Sequence, residues 1–249
     1  MRIVVCMKRV PDTESVIRIA PDGGAVETAD LTYIINPYDE YAIEAALQLK
    51  EADGEGSQVV LLTVGEAAAE STIRKGLAMG ADEAVLLQVP RDLGDPLQTA
   101  RLLAEWLKSN GADLVLAGKQ GVDYDHGAVP GMVAELLGWA GATAVCALTR
   151  DGTGLVVERE VEGGRERVRL PLPCVVSADK GLNEPRYASL KGIMGAKKKP
   201  LTVVDSPAQA EVLGKLEAPA ARPAGRVVGQ GSQAAVELAR LLKDEARVL

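Results

Sequence analysis

Short apolar runs recur through the first 140 residues of this chain, and a stretch of helical period follows nearly every one. RIVVCM (2–7), SQVVLLTVG (57–65), EAVLLQV (83–89) and ADLVLAG (112–118) are rich in Val, Leu and Ile, and two of them close on glycine. Residues 36–52, 66–79, 96–109 and 128–138 read as helices. Near-continuous apolar runs suit strands covered on both faces, and strict strand–helix alternation argues a parallel sheet with helices on both sides. LTYII (31–35) reads as a further short strand, and PDGG (21–24) as a turn. The first helix should start at Asn36-Pro37-Tyr38-Asp39-Glu40: Asn can cap, Pro suits the first helical position, and two acids favour the positive end of the helix dipole.

The pattern changes after about residue 142. ATAVCALTR, GLVVEREVEG, RERVRLPL and PCVVSAD are strand-like and punctuated by Gly or Pro, with hairpin turns expected near GTG (152–154) and GG (163–164). This antiparallel portion (142–180) belongs to one α/β domain over 1–205, closed by the strand LTVVD (201–205). From Ser206 the chain is rich in Ala, Pro and Gly, then ends in a helix over 232–249. Such a tail has little periodicity with which to pack on itself, so 206–249 is expected to be an arm that wraps a partner.

The chain has 249 residues, enough for one large core or two modest ones, and no Phe. Val, Leu, Ala and Ile must therefore fill that core. Cys6, Cys146 and Cys174 lie in apolar runs far apart, with no CxxC, as expected of small buried residues in a reducing compartment such as the cytoplasm. His126 is the single histidine, which nearly excludes a His-based metal site or a Ser-His-Asp triad; no metal site is expected. No apolar run approaches ~18 residues, so the protein is not expected to be membrane-embedded.

In an open α/β sheet, ligands bind beyond the C-terminal ends of the strands. Three such ends stand out here. The first is Cys6 to Asp12, the second Val64-Gly65-Glu66. The third is Gly118-Lys119-Gln120-Gly121-Val122-Asp123-Tyr124-Asp125-His126-Gly127-Ala128-Val129, which opens a helix whose amides and dipole could hold a phosphate. Asp123 and Asp125 would accept from a ribose hydroxyl or from loop amides. Lys8 and Arg9 would meet either phosphate or local acids, and His126 either packs in the loop or caps. Neither GxGxxG nor GxxxxGK[ST] occurs, and no nucleophile–base–orienter set can be assembled. On these residues alone the chain is a nucleotide-binding α/β protein without visible catalytic machinery, and a plain structural loop at 118–129 stays open.

One more stretch is out of character. NEPRYASLKGIMGAKKKP (183–200) carries five cations and one acid in a chain of formal net charge −7. A basic, apolar-studded segment suits either a protein partner or phosphates.

Together these segments resemble the beta subunit of electron-transfer flavoproteins. The resemblance is carried by VCMKRVPD (5–12), INPYDEYA (35–42), RKGLAMGAD (74–82), DLVLAGKQ (113–120), VEREVEGG (157–164), LNEPRYASL (182–190) and AKKK (196–199), and covers about residues 1–205 in order. It implies an electron carrier subunit rather than an enzyme. Its partner would be an alpha subunit, with FAD held mainly there and shared across the heterodimer. Electrons would come from FAD-dependent dehydrogenases and leave to a quinone oxidoreductase or another acceptor, in the cytoplasm or a matrix-like compartment. It also implies a structural AMP contacted by Cys6, Asn36, Pro37, Tyr38, Asp39, Val64 and residues 118–129, with Thr13 near the flavin. Residues 183–199 would form a partner-recognition loop using Tyr187, Leu190, Lys191, Ile193 and Met194. Leu190 would be the apolar anchor, Lys191, Lys197, Lys198 and Lys199 would steer acidic partners, and nucleic acid is not expected as a ligand. The arm at 206–249 would pack on the alpha subunit. Many members carry Asn-Gln-Thr where this chain has Gly127-Ala128-Val129, which keeps open a bifurcating type with a second FAD in place of AMP. A non-redox nucleotide-binding module is the remaining alternative.

Overall fold

The computed structural model describes residues 1–54, 56–91, 93–206, 215–222 and 224–249. They divide into two compact units, Met1–Lys215 and Leu216–Leu249.

The first unit is built on nine strands. Four are the apolar runs of the N-terminal half: β1 (Arg2–Cys6), β4 (Gln58–Gly65), β5 (Glu83–Gln88) and β6 (Leu114–Gly118). To one side lie β7 (Ala140–Asp151), β8 (Gly154–Val161), β9 (Gly164–Pro171) and β10 (Cys174–Ala178), and at the opposite edge β11 (Leu201–Asp205). The order is β11-β5-β4-β1-β6-β10-β7-β8-β9. Every pair from β11 through β10 to β7 is parallel, and β8 and β9 extend the sheet as an antiparallel meander. A separate two-stranded sheet pairs β2 (Arg9–Pro11) antiparallel to β3 (Tyr33–Ile35).

Helices cover both faces. On one side α1 (Pro37–Asp53) and α2 (Glu70–Met79) bury Ile43, Leu47, Ile73 and Leu77 against Ile3, Val5, Leu61 and Leu116. On the other, α3 (Pro96–Asn110) and α4 (Val129–Leu137) bury Leu103, Leu107 and Val133 against Val4, Val60, Leu62 and Val115. Adjacent residues of one strand thus feed opposite cores, as the pleat requires. Aliphatic side chains fill both cores, with Tyr41 packed against the edge of one and Trp106 and Trp139 against the other.

Two expectations need correction. β10 does not belong to an antiparallel portion: it inserts between β6 and β7, parallel to both. All five of its residues are buried, and a strand buried on both faces belongs in the middle of such a sheet. The expected loop at 183–199 contains a helix, α5 (Leu190–Ala196), whose first turn Ser189 caps by accepting from the Gly192 amide at 3.0 Å. That is ordinary N-cap chemistry.

In the second unit α6 (Gln233–Asp244) forms, ending five residues before the expected point. None of its residues is buried, and Val236 and Leu238 are exposed. The part of the expected arm at 207–214 lies outside the described residues. Among the described residues no helix is long and apolar enough to cross a membrane.

Candidate functional site

The cleft of the first unit lies where the strand-end rule puts it, above the C-terminal ends of β1, β4, β5 and β6. Its floor is organised by the start of α1. The Asp39 carboxylate is buried and accepts from two strand ends at once: Oδ2 from the Lys8 amide at 2.7 Å, beyond β1, and Oδ1 from the Gly118 amide at 2.8 Å, closing β6. Asn36 is buried beside it. Its Nδ2 donates to the Gln120 carbonyl at 2.9 Å, its Oδ1 accepts from the Val122 amide at 3.1 Å, and its amide donates to the Lys8 carbonyl. Asn36 therefore makes no side-chain cap on α1. Its amide group is spent crossing to the third strand-end loop. Gly118 is required by closeness: a Cβ there would lie 2.7 Å from the Tyr38 carbonyl carbon.

Burial pushes the Asp39 carboxyl up to about 7, against the opposing pull of the Lys8, Asn36 and Gly118 hydrogen bonds and the Lys8 charge. Burial, with the Asp39 charge adding to it, pushes the Cys6 thiol up to about 12, so Cys6 lines the cleft as a neutral thiol and not a thiolate.

The rim is a lattice of local pairs. Lys8 reaches across to Asp123 at 2.6 Å, with its ammonium 4.7 Å from the Tyr124 ring centre. Tyr124 stacks on His126, with ring centres 5.4 Å apart, and both residues are exposed. Asp125 accepts from Gln120 Nε2 at 2.8 Å, and Lys119 pairs with Asp179 at 2.9 Å. Arg9 turns away from the cleft and lies over Tyr33 at 3.3 Å. Gly127, in the left-handed region with φ 62°, turns the loop into α4, whose start carries no side-chain cap.

The space above the strand ends amounts to about 900 Å³ when its solvent-open mouth is included. Cys6, Asn36, Asp39, Val64, Gly118, Lys119, Gln120, Gly121, Asp123, Tyr124, His126, Gly127, Ala128 and Val129 all line it. Pro37, Tyr38, Val122 and Asp125 are not among the lining residues; they support those that are. Thr13 is exposed in the loop after β2. Sequence reasoning missed a whole wall, the β5–α3 connection, where Val89, Leu93, Asp95, Thr99 and Leu103 face the space. The signal was present: Asp95-Pro96 is a capped helix start just beyond a strand end, with the Asp95 side chain accepting from the Leu97 amide at 2.8 Å.

The basic segment sits elsewhere on the same unit, clamped to α1. Arg186 Nε and Nη2 donate to the two Glu44 oxygens at 2.7 and 2.9 Å, and its Nη1 and Nη2 also reach Glu51. Asn183 Nδ2 donates to the Tyr41 carbonyl at 3.0 Å. Burial pushes Glu44 up, but the Arg186 bonds outweigh it and hold the carboxyl below its ordinary range. Beyond this clamp Tyr187 is 99% exposed and Leu190 76% exposed, and Ile193 and Met194 face solvent too. Lys191, Lys197 and Lys198 are exposed with them. Lys199 departs from the steering role expected of it. Its ammonium is turned inward onto the Leu77 and Ala81 carbonyls.

Comparison with known proteins gives a consistent result. A family model described as the electron transfer flavoprotein domain matches residues 23–209. The chain is 43% identical over 256 residues to an electron transfer flavoprotein subunit beta of Bradyrhizobium diazoefficiens, covering all of both chains. It is 41% identical to the subunit beta of Bacillus subtilis, again over all of both chains. With the human subunit beta it shares 44% identity over 208 residues, 82% of this chain and 81% of the human one.

Proposed function

This chain belongs to the electron transfer flavoprotein family, as a beta subunit, and from that premise we propose that it has two working surfaces: a nucleotide cleft and a docking helix. The observation that carries the proposal is the pairing of a pre-tied cleft at the strand ends with an apolar helix clamped outward on the same unit.

The cleft holds AMP. Both lysines lining it are committed to carboxylates, Lys8 to Asp123 and Lys119 to Asp179. A phosphate is therefore met by the backbone at the start of α4, where Gly127 and Ala128 allow close approach. The apolar β5–α3 wall suits a base. Because Asp39 and Asn36 join the strand-end loops directly, the site is rigid, as befits a nucleotide with a structural role. FAD is held mainly by an alpha subunit, near Thr13 of this chain, and it supplies the one-electron chemistry of the pair. The exposed side chains of α6 fit an arm that packs on that subunit.

Leu190 anchors a dehydrogenase that supplies the electrons. Tyr187, Ile193 and Met194 surround it, Lys191, Lys197 and Lys198 rim it, and a quinone oxidoreductase or another acceptor takes the electrons onward. Burying one leucine is worth roughly 1.5–3 kcal/mol, enough for a transient complex, while rim charges mainly speed encounter. Leu190→Ala should leave the fold unchanged, since the side chain is already in solvent. The same change should cut flavin reduction by a partner dehydrogenase by about 10-fold or more. Unaltered kinetics would remove the anchor role.

A further inference from the structure

The docking helix presents a physical difficulty. It has seven residues, too few to be stable alone, and only Ala196 is buried. Leu190 and Met194 point into water and Ile193 is half-exposed, so apart from Ala196 apolar burial does little to hold it in place.

What holds it is an exchange of cations with α2. Arg74, on α2, donates from Nη1 to the Ala196 carbonyl at 2.9 Å and to the Lys199 carbonyl at 2.8 Å, at the C-terminal end of α5. Lys199, just past α5, donates in return to the Leu77 carbonyl at 2.9 Å and the Ala81 carbonyl at 2.5 Å, at the C-terminal end of α2. The last carbonyls of a helix lack intrahelical partners and carry the negative end of its dipole. Each helix thus receives the cation its end needs from the other. Glu70 keeps Arg74 aimed, at 3.2 Å from Nη2. The two backbones also touch: a Cβ on Gly192 would run into the Ala78 carbonyl.

We propose that Arg74 and Lys199 are positioning residues that hold α5 as a pre-formed docking element for a protein partner with an apolar pocket and an acidic rim. The inference rests on the docking reading of Leu190. A pre-formed element spares the partner complex the cost of ordering it, which weakens binding when it must be met. The mount also explains why Lys199 does not join the exposed lysines: its charge is used within the subunit.

Amide hydrogen exchange on the full chain tests this. In Arg74→Met and in Lys199→Met, the amides of 190–199 should exchange about 10-fold faster while those of β1 stay protected. Lys199→Arg, which keeps a cation at the end of α2, should retain most of the protection. With the alpha subunit present, both Met variants should raise the KM of a partner dehydrogenase for the carrier with kcat little changed. Unaltered exchange over 190–199 in both Met variants would overturn the proposal. So would loosened amides with an unaltered KM in a background where Leu190→Ala raises it. Leu190→Ala itself should leave the exchange untouched. If it also leaves KM untouched, the docking reading fails separately.

Discussion

Replacing Arg186 by methionine removes the clamp that seats the 183–189 segment on α1. Glu44 is 3% exposed and accepts from Arg186 three times, at Nε, Nη2 and the backbone amide. Without the guanidinium the carboxylate keeps only that amide and Gln48 Nε2 at 3.0 Å. Orphaning one member of a buried pair costs about 3–5 kcal/mol. The Arg186 side chain retains 35% of its surface in solvent, so water replaces part of what is lost and about 2–3 kcal/mol is expected. At 2–4 °C per kcal/mol for a chain of this size, Tm should fall by roughly 4–12 °C. The sign of the pH dependence follows from Glu44. Its folded value is depressed, so the stability it confers is present above the ordinary Glu range and is lost as pH falls through the folded value. The gap between parent and variant should therefore be widest near neutrality and narrow below about pH 4. Thermal unfolding followed by circular dichroism at both pH values measures it. Adding Glu44→Leu to the variant should recover much of the loss, because an apolar pair leaves no buried charge. A Tm shift of the single variant equivalent to under about 0.5 kcal/mol would mean that Glu44 does not depend on the Arg186 guanidinium.

Two further outcomes are expected. Gly118→Ala should destabilise the chain by about 1–3 kcal/mol and weaken nucleotide retention together, because its methyl would press on the Tyr38 backbone and the Asp39 carboxylate; urea unfolding and equilibrium dialysis read the two effects. Burial pushes the Asp39 carboxyl up to about 7 from an ordinary value of 3.8, so the folded state holds the proton more tightly between those values, and the Asp39 contribution to stability declines as pH rises toward 7 and is gone above it. Asp39→Asn should flatten that part of the Tm–pH profile between about pH 4 and 7, and an unchanged slope would count against the assignment.

Much of this molecule is legible in its sequence, and what is not has physical causes. The β-branched runs placed β1, β4, β5 and β6, and the strand-end rule placed three walls of the cleft. CVVSA reads as part of the meander because it follows one in sequence, and local pattern does not reveal that the chain turns back into the middle of the sheet between β6 and β7. The fourth wall is hidden in the sequence because Leu93 and Thr99 look like ordinary loop and helix residues; only the fold brings them opposite Gly118–Val129. Asn36 and Asp39 drew attention for the right place, yet their hydrogen bonds go to the backbone of neighbouring loops. Composition gives a charge for 183–200 but no direction, so nothing in the run of lysines marks Lys199 as the one that points inward.

The cleft is proposed to hold a nucleotide of its own, apart from a flavin that would be shared with an alpha subunit. Mass spectrometry of small molecules released by denaturing the heterodimer, and the beta chain purified by itself, tests it most directly. AMP from both samples, with one FAD per heterodimer appearing only in the pair, is the predicted result. FAD released from the beta chain itself, or no nucleotide from either sample, would contradict it.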